Sequence, residues 1–155
     1  IRENNDIQFI WQTGKYYYPQ VTEAVRAAGE LPNLYVTDFI KDMAAAYAAS
    51  DLVISRAGAG SISEFCLLHK PVVLVPSPNV AEDHQTKNAL ALVDKQAAIY
   101  VKDSEAEAKL MDVALNTVAD DRKLKELSEN IPKLALPDSA RIIAQEVIKL
   151  AEAEN

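Results

Sequence analysis

The stretch Asp51-Leu-Val-Ile-Ser-Arg-Ala-Gly-Ala-Gly-Ser-Ile-Ser-Glu64 restricts the fold more than any other part of this chain. Its apolar run Leu52 to Ile54 reads as a buried strand, and the small residues Ala57, Gly58, Ala59 and Gly60 then turn the backbone into a helix opening at Ser61. With no Cβ at the glycines, backbone N–H groups and the positive end of a helix can approach an anion closely. Phosphate is the obvious guest. The turn alone does not name one, because Gly58-Ala-Gly60 is neither the three-glycine dinucleotide fingerprint nor a P-loop ending in Gly-Lys-Ser/Thr.

The same alternation runs through the rest of the chain. Ile7 to Thr13 is rich in β-branched and aromatic residues and stops at Gly14, which predicts a first strand. Pro19 predicts a helix start running through Val21, Ala24 and Val25 to a stop at Gly29. Leu34 to Val36 is the second strand, Thr37 to Ile40 a loop, and Asp42 to Ala49 an alanine-rich helix. Leu52 to Ser55 is the third strand and Pro71 to Val75 the fourth, followed by a stiff loop, Pro76 to Asn79. Asp83 is positioned to cap a helix, Ala97 to Val101 forms the fifth strand, and helices follow over 104–118, 121–127 and from Pro137 onward. Strands alternating with helices through short connections predict a doubly wound α/β domain, a Rossmann-like parallel sheet with helices on both faces. Ligands of such sheets lie beyond the carboxyl ends of the strands, here Thr13 to Lys15, Asp38 to Ile40, Arg56 to Gly60 and Pro76 to His84.

Composition narrows the function. At 155 residues the chain has the size of one domain. Twelve of its 23 acids but only seven of its 16 bases lie from Asp103 onward, so most of the net charge of −7 sits on the terminal helices. An anionic ligand can therefore bind the first part without opposing a strong field. No basic stripe with interleaved aromatics points to nucleic acid, and no apolar stretch is long enough to span a bilayer. The single cysteine, Cys66, forms no internal disulfide, consistent with a cytoplasmic setting, and among Phe65, Leu67 and Leu68 it reads as a small buried residue. His69, His84 and Cys66 form no metal-binding spacing, so no metal is expected.

Several residues admit two readings. Ser61 and Glu64 match a capping box, yet a carboxylate beside a phosphate-binding turn can also accept hydrogen bonds from a ribose diol. Gln85 and Asn88 stand one turn apart and carry both donor and acceptor, suited to sugar hydroxyls, while a solvated helix start explains them as well. His84 reads as a cap or surface residue before it reads as a base. Phe39 and Ile40 are core anchors or the wall of a pocket for a flat base, with backbone groups of Ile40 reading its edge. Arg56 faces either a phosphate or an acidic edge, and Gly14-Lys15 looks like a shortened phosphate loop.

Taken together, Trp11-Gln-Thr-Gly-Lys15, Val36-Thr-Asp-Phe-Ile-Lys-Asp-Met43, Ser55 to Glu64, Pro71-Val-Val-Leu-Val-Pro76 and Asp83-His-Gln-Thr-Lys-Asn-Ala89 resemble, in order and spacing, one family. It is the UDP-N-acetylglucosamine transferase family of peptidoglycan synthesis, glycosyltransferase family 28. The resemblance covers residues 1–155 as the carboxyl-terminal donor-binding half of a B-fold enzyme, lacking the acceptor domain and its own first strand and glycine loop. It implies that Gly58, Ala59, Gly60 and Ser61 cradle the diphosphate of UDP-N-acetylglucosamine and that Glu64 holds the ribose. Phe39, Ile40 and Met43 would line the uracil pocket, and Gln85 and Asn88, with His84 beside them, would contact the sugar. It further implies an inverting transfer to a lipid-linked muramyl-pentapeptide, without metal or cofactor, with the base on the other domain and no activity in this piece alone. The full-length protein would act at the cytoplasmic face of the inner membrane, while this piece would not itself bind membrane. A UDP-N-acetylglucosamine 2-epimerase-like domain and a non-catalytic nucleotide-binding module share the same frame.

Overall fold

The structure, a computed structural model, describes residues 1–78 and 83–153. Residues 79–82, part of the expected loop and strand-end rim before His84, and residues 154–155 lie outside them. Five strands and seven α-helices are described, β1 (Phe9–Gln12), α1 (Gly14–Ala28), β2 (Leu34–Thr37), α2 (Met43–Ala49), β3 (Val53–Ser55), α3 (Ala59–Leu68), β4 (Val72–Leu74), α4 (His84–Val93), β5 (Ile99–Tyr100), α5 (Asp103–Val118), α6 (Asp121–Asn130) and α7 (Ser139–Ala153). A 3₁₀ turn, Ile131–Leu134, follows α6. All strand pairings are parallel, as the alternation predicts. They form a β1–β2 pair and a β3–β4–β5 sheet, in two compact units, Ile1–Ser50 and Asp51–Asn155.

In the first unit β1 and β2 run in register from Phe9 opposite Leu34 to Gln12 opposite Thr37. The helix α1 begins at Gly14, five residues before the Pro19 start that the sequence suggests. The positive φ of Gly14, 73°, lets the chain leave β1 and enter the helix at once. Pro19 therefore sits in the second turn, where its missing N–H removes one internal bond. Gly29 closes the helix with φ 90°, as expected, and a Cβ there would meet Arg2 Nη2 at 2.9 Å. Asn33, buried, gathers the segment before β1: its Nδ2 donates to the carbonyls of Ile1, Asn4 and Ile7 at 3.2, 3.0 and 3.0 Å, and its backbone carbonyl accepts from Phe9 N at 2.8 Å.

The second unit is organised around β4. Val72, Val73 and Leu74 are all inaccessible because β3 and β5 flank the strand and side chains cover both its faces. Val73, Val75 and Val101 pack against Leu52, Ile99, Ala106, Leu110 and Val113, and Phe65, Leu127 and Ile131 are also fully buried. Asp120 caps α6 by accepting from the N–H groups of Arg122 and Lys123 at 3.0 and 3.1 Å. Ile142, Ile143, Val147, Ile148 and Leu150 of α7 are exposed. No helix among the described residues is long and apolar enough to cross a membrane.

Asn33 supplies a test of the first unit. Asn33→Asp replaces the donor with an oxygen that faces three carbonyls, and the loss of these bonds in a buried site lowers stability by about 3 kcal/mol. Urea unfolding followed by far-UV circular dichroism reads the shift, and an unchanged midpoint would show that the amide does not anchor this segment.

Candidate functional site

The candidate residues divide between the two units. In the second, β3 ends at Ser55, and Arg56 and Ala57 lead to Gly58, which occupies the N-cap of α3 with extended backbone, φ −70° and ψ 142°. The helix opens at Ala59, two residues earlier than the sequence suggests, so Ser61 stands at the third helical position and the capping-box reading of Ser61 and Glu64 is corrected. A β-region residue followed by two small residues suffices to start the turn, and no side chain caps it. The first helical bond outside the cap runs from Ile62 N to Gly58 O at 3.0 Å, so the N–H groups of Ala59, Gly60 and Ser61 precede the internal ladder. Glu64 lies outside the first turn, four residues after Gly60 and therefore on the same helix face.

The two glycines have no structural reason to be glycine. Neither has positive φ, and a Cβ built at Gly58 or Gly60 would meet no atom of the described residues within 4 Å. What their hydrogens leave is room directly in front of the uncapped N–H groups. An anion can come closer there than any Cβ would allow.

Around this turn the side chains form a clasp. Gln85 Oε1 accepts from Ala57 N at 3.2 Å and from Ser77 N at 2.9 Å, and Asn88 Nδ2 donates to Ala57 O at 3.2 Å. Both residues come from α4, whose N-cap position is held by Asp83 at φ 54°. The expected capping by the Asp83 side chain does not occur, because this left-handed backbone makes no side-chain cap bond. His84 is exposed at the first position of the helix. Arg56 turns to an acidic edge: its Nη1 bonds Asp103, the first residue of α5, and the carbonyls of Val75 and Pro76 at 3.2 and 3.3 Å. Burial pushes the Cys66 thiol above its ordinary pKa, in keeping with a packing role on the inner side of α3.

In the first unit Phe39 is 61% exposed in the β2–α2 loop, Ile40 follows it, and half-buried Met43 opens α2 behind the capping carboxylate of Asp42, which accepts from Ala45 N at 2.9 Å. Thr37 Oγ1 donates to Phe39 O at 3.1 Å and holds the loop. The N–H of Ile40, expected to be open to a base edge, instead donates to Gln12 Oε1 at 2.8 Å. Gln12 at the end of β1 was not among the sequence-derived site residues. Its place after an apolar strand, before Thr13-Gly14, is the signal that marks a strand-end polar group. Among the described residues no three His, Cys, Asp or Glu side chains gather as a metal site.

Parallel strands whose crossovers deliver an uncapped, glycine-fronted helix start define the Rossmann-like class of nucleotide-binding α/β domains. Within that class the chain belongs to glycosyltransferase family 28: the family's C-terminal domain model matches residues 1–144. It is 99% identical over 155 residues to a protein of Bacteroides thetaiotaomicron described as UDP-N-acetylglucosamine--N-acetylmuramyl-(pentapeptide) pyrophosphoryl-undecaprenol N-acetylglucosamine transferase, covering 100% of this chain and 42% of that protein. A relative of the same description from Flavobacterium psychrophilum is 44% identical over 151 residues, 97% of this chain and 40% of its own length. The crystal structure of Acinetobacter baumannii MurG superposes with a TM-score of 0.78 at 31% identity, covering 90% of this chain and 40% of that one. The fold is thus one half of a B-fold glycosyltransferase, and the chain spans well under half the length of these relatives.

If the glycines are kept for room and not for folding, Gly60→Ala costs no stability. It raises the melting temperature by up to about 2–4 °C, the gain expected when alanine replaces glycine in a helix. Differential scanning calorimetry checks this, and a fall of several degrees would reveal a packing demand at the position.

Proposed function

We propose that residues 1–155 form the donor-binding domain of an inverting glycosyltransferase, which moves N-acetylglucosamine from UDP-N-acetylglucosamine to a lipid-linked muramyl-pentapeptide in bacterial peptidoglycan synthesis. The observation that carries this reading is the α3 start, with three N–H groups ahead of the helical ladder and two glycines that neither packing nor φ requires. The printed names of relatives at 99% and 80% identity support the substrate assignment.

Gly58, Ala59, Gly60 and Ser61 take the diphosphate. Glu64, one turn along the same face, accepts from the ribose hydroxyls. Phe39, Ile40 and Met43 take the uracil, and the N–H of Ile40 becomes available to it once Gln12 releases it. Gln85 Nε2 and Asn88 Oδ1, the amide ends not used on Ala57, meet the sugar hydroxyls, with His84 at the margin. The acceptor 4-hydroxyl attacks the anomeric carbon as the bond to the diphosphate oxygen breaks, and UDP leaves with the electron pair. The helix N–H groups stabilise the charge that grows on the diphosphate. The base that removes the acceptor proton is assigned to the part of the full-length protein outside these residues, so the chain alone binds donor but does not turn over. The full-length enzyme works at the cytoplasmic face of the inner membrane, through its acceptor-binding part, and this domain does not itself bind membrane. No metal or other cofactor takes part.

Titration of isotope-labelled chain with UDP-N-acetylglucosamine, UDP and GDP, followed by amide shifts, tests this. UDP should bind in preference to GDP, with shifts at Phe39–Met43, Gly58–Glu64 and Gln85–Asn88. Glu64→Ala should weaken UDP about tenfold or more, as expected for hydrogen bonds to a charged acceptor, and Gly58→Ala should weaken it by crowding the diphosphate. A folded chain whose amides respond to neither uridine nucleotide overturns the reading.

A further inference from the structure

Beyond any contact with sugar, we propose that Gln85 and Asn88 are positioning residues that set the diphosphate turn before any ligand arrives. The inference rests on the reading that this turn binds diphosphate. Ala57, 0% exposed, is the residue immediately before the Gly58 N-cap, and both of its peptide groups are held by side chains of α4. Gln85 Oε1 takes its N–H, and Asn88 Nδ2 gives to its C=O. One donor and one acceptor, three residues apart on α4, thereby fix the orientation of the two peptide planes flanking Ala57. The second of those planes carries the N–H of Gly58 and aims the start of α3.

The same Gln85 oxygen also holds Ser77 N, so the loop after β4 and the turn after β3 are tied to one atom. A residue that only recognised sugar would have no need of bonds to two backbone segments. With its oxygen satisfied twice by the protein, Gln85 has its NH₂ left to offer a ligand, and Asn88, which spends one N–H on Ala57, has its oxygen left to accept. The pair thus presents one donor and one acceptor in fixed polarity, a consequence of the clasp and not of the ligand.

The test compares the chain with Gln85→Met, which keeps length and removes both polar ends. In the absence of ligand, amide hydrogen exchange at Ala57 and Ser77 should accelerate about tenfold or more. UDP, which has no sugar to contact, should then lose affinity by a comparable factor, and UDP-N-acetylglucosamine by at least as much. Gln85→Glu, which retains the acceptor oxygen, should restore the protection of both amides. The inference is overturned if exchange at Ala57 and Ser77 is unchanged and only UDP-N-acetylglucosamine binds more weakly, the signature of a sugar contact alone. Should Gln85→Met fail to give a dispersed spectrum, Asn88→Ala decides: a loss of affinity for UDP itself supports the clasp, and loss confined to the sugar nucleotide refutes it. If the unsubstituted chain binds neither nucleotide, the donor-domain reading fails, while the exchange measurement still judges the clasp.

Discussion

The peptide groups at the carboxyl ends of β3 and β4 are the constraint on which the second unit depends. Parallel strands bring Ser55 and Leu74 side by side and send both chains out in the same direction, so two loops with unpaired backbone groups emerge together. Buried N–H and C=O groups must find partners. Here they find them in side chains from later elements: Arg56 bonds the carbonyls of Val75 and Pro76, and the Gln85 and Asn88 amides take the groups of Ala57 and Ser77. Asp103 at the start of α5 fixes Arg56 in turn. The hydrophobic core around β4 supplies the bulk of the stability, but these few polar contacts decide the direction in which α3 points.

Solving this backbone problem leaves another unsolved. The N–H and C=O of Ala57 are both paired, whereas the N–H groups of Ala59, Gly60 and Ser61 come ahead of the helical ladder with no side-chain cap. The chain offers serine within reach in sequence and does not use it as an N-cap. Glycine at 58 and 60 satisfies no φ requirement and no packing requirement. A site is recognised here by glycines that neither φ nor packing explains, at a helix start without the side-chain cap that Asp120 gives α6.

The order of strands and helices was legible in the sequence because it is written in short apolar runs separated by glycine and proline. Pro71-Val-Val-Leu-Val75 and Leu34-Tyr-Val36 are found where they were expected. Helix starts were less legible. The capping motif at Ser61 and the proline at 19 are strong local signals, yet Gly58 and Gly14 start their helices earlier because the strand end and the backbone geometry set the entry. The candidate residues of the second unit could be picked out as a set, but their present partners could not. Gln12 holding Ile40, and Gln85 holding Ala57 and Ser77, join positions 28, 28 and 8 residues apart, and such bonds depend on tertiary placement that no local pattern encodes. Arg56 was left open between phosphate and acid for the same reason.

Cys66 gives the second unit a built-in clock. It is the chain's only thiol, 2% exposed, on the helix that starts behind Gly58, and burial disfavours its thiolate. An alkylating reagent therefore reaches it only when α3 leaves the sheet, and the rate of labelling reports the frequency of that opening without any engineered probe. Occupancy of the turn by an anion would slow the reaction, so one native sulfur atom makes the energetics of the helix readable by mass alone.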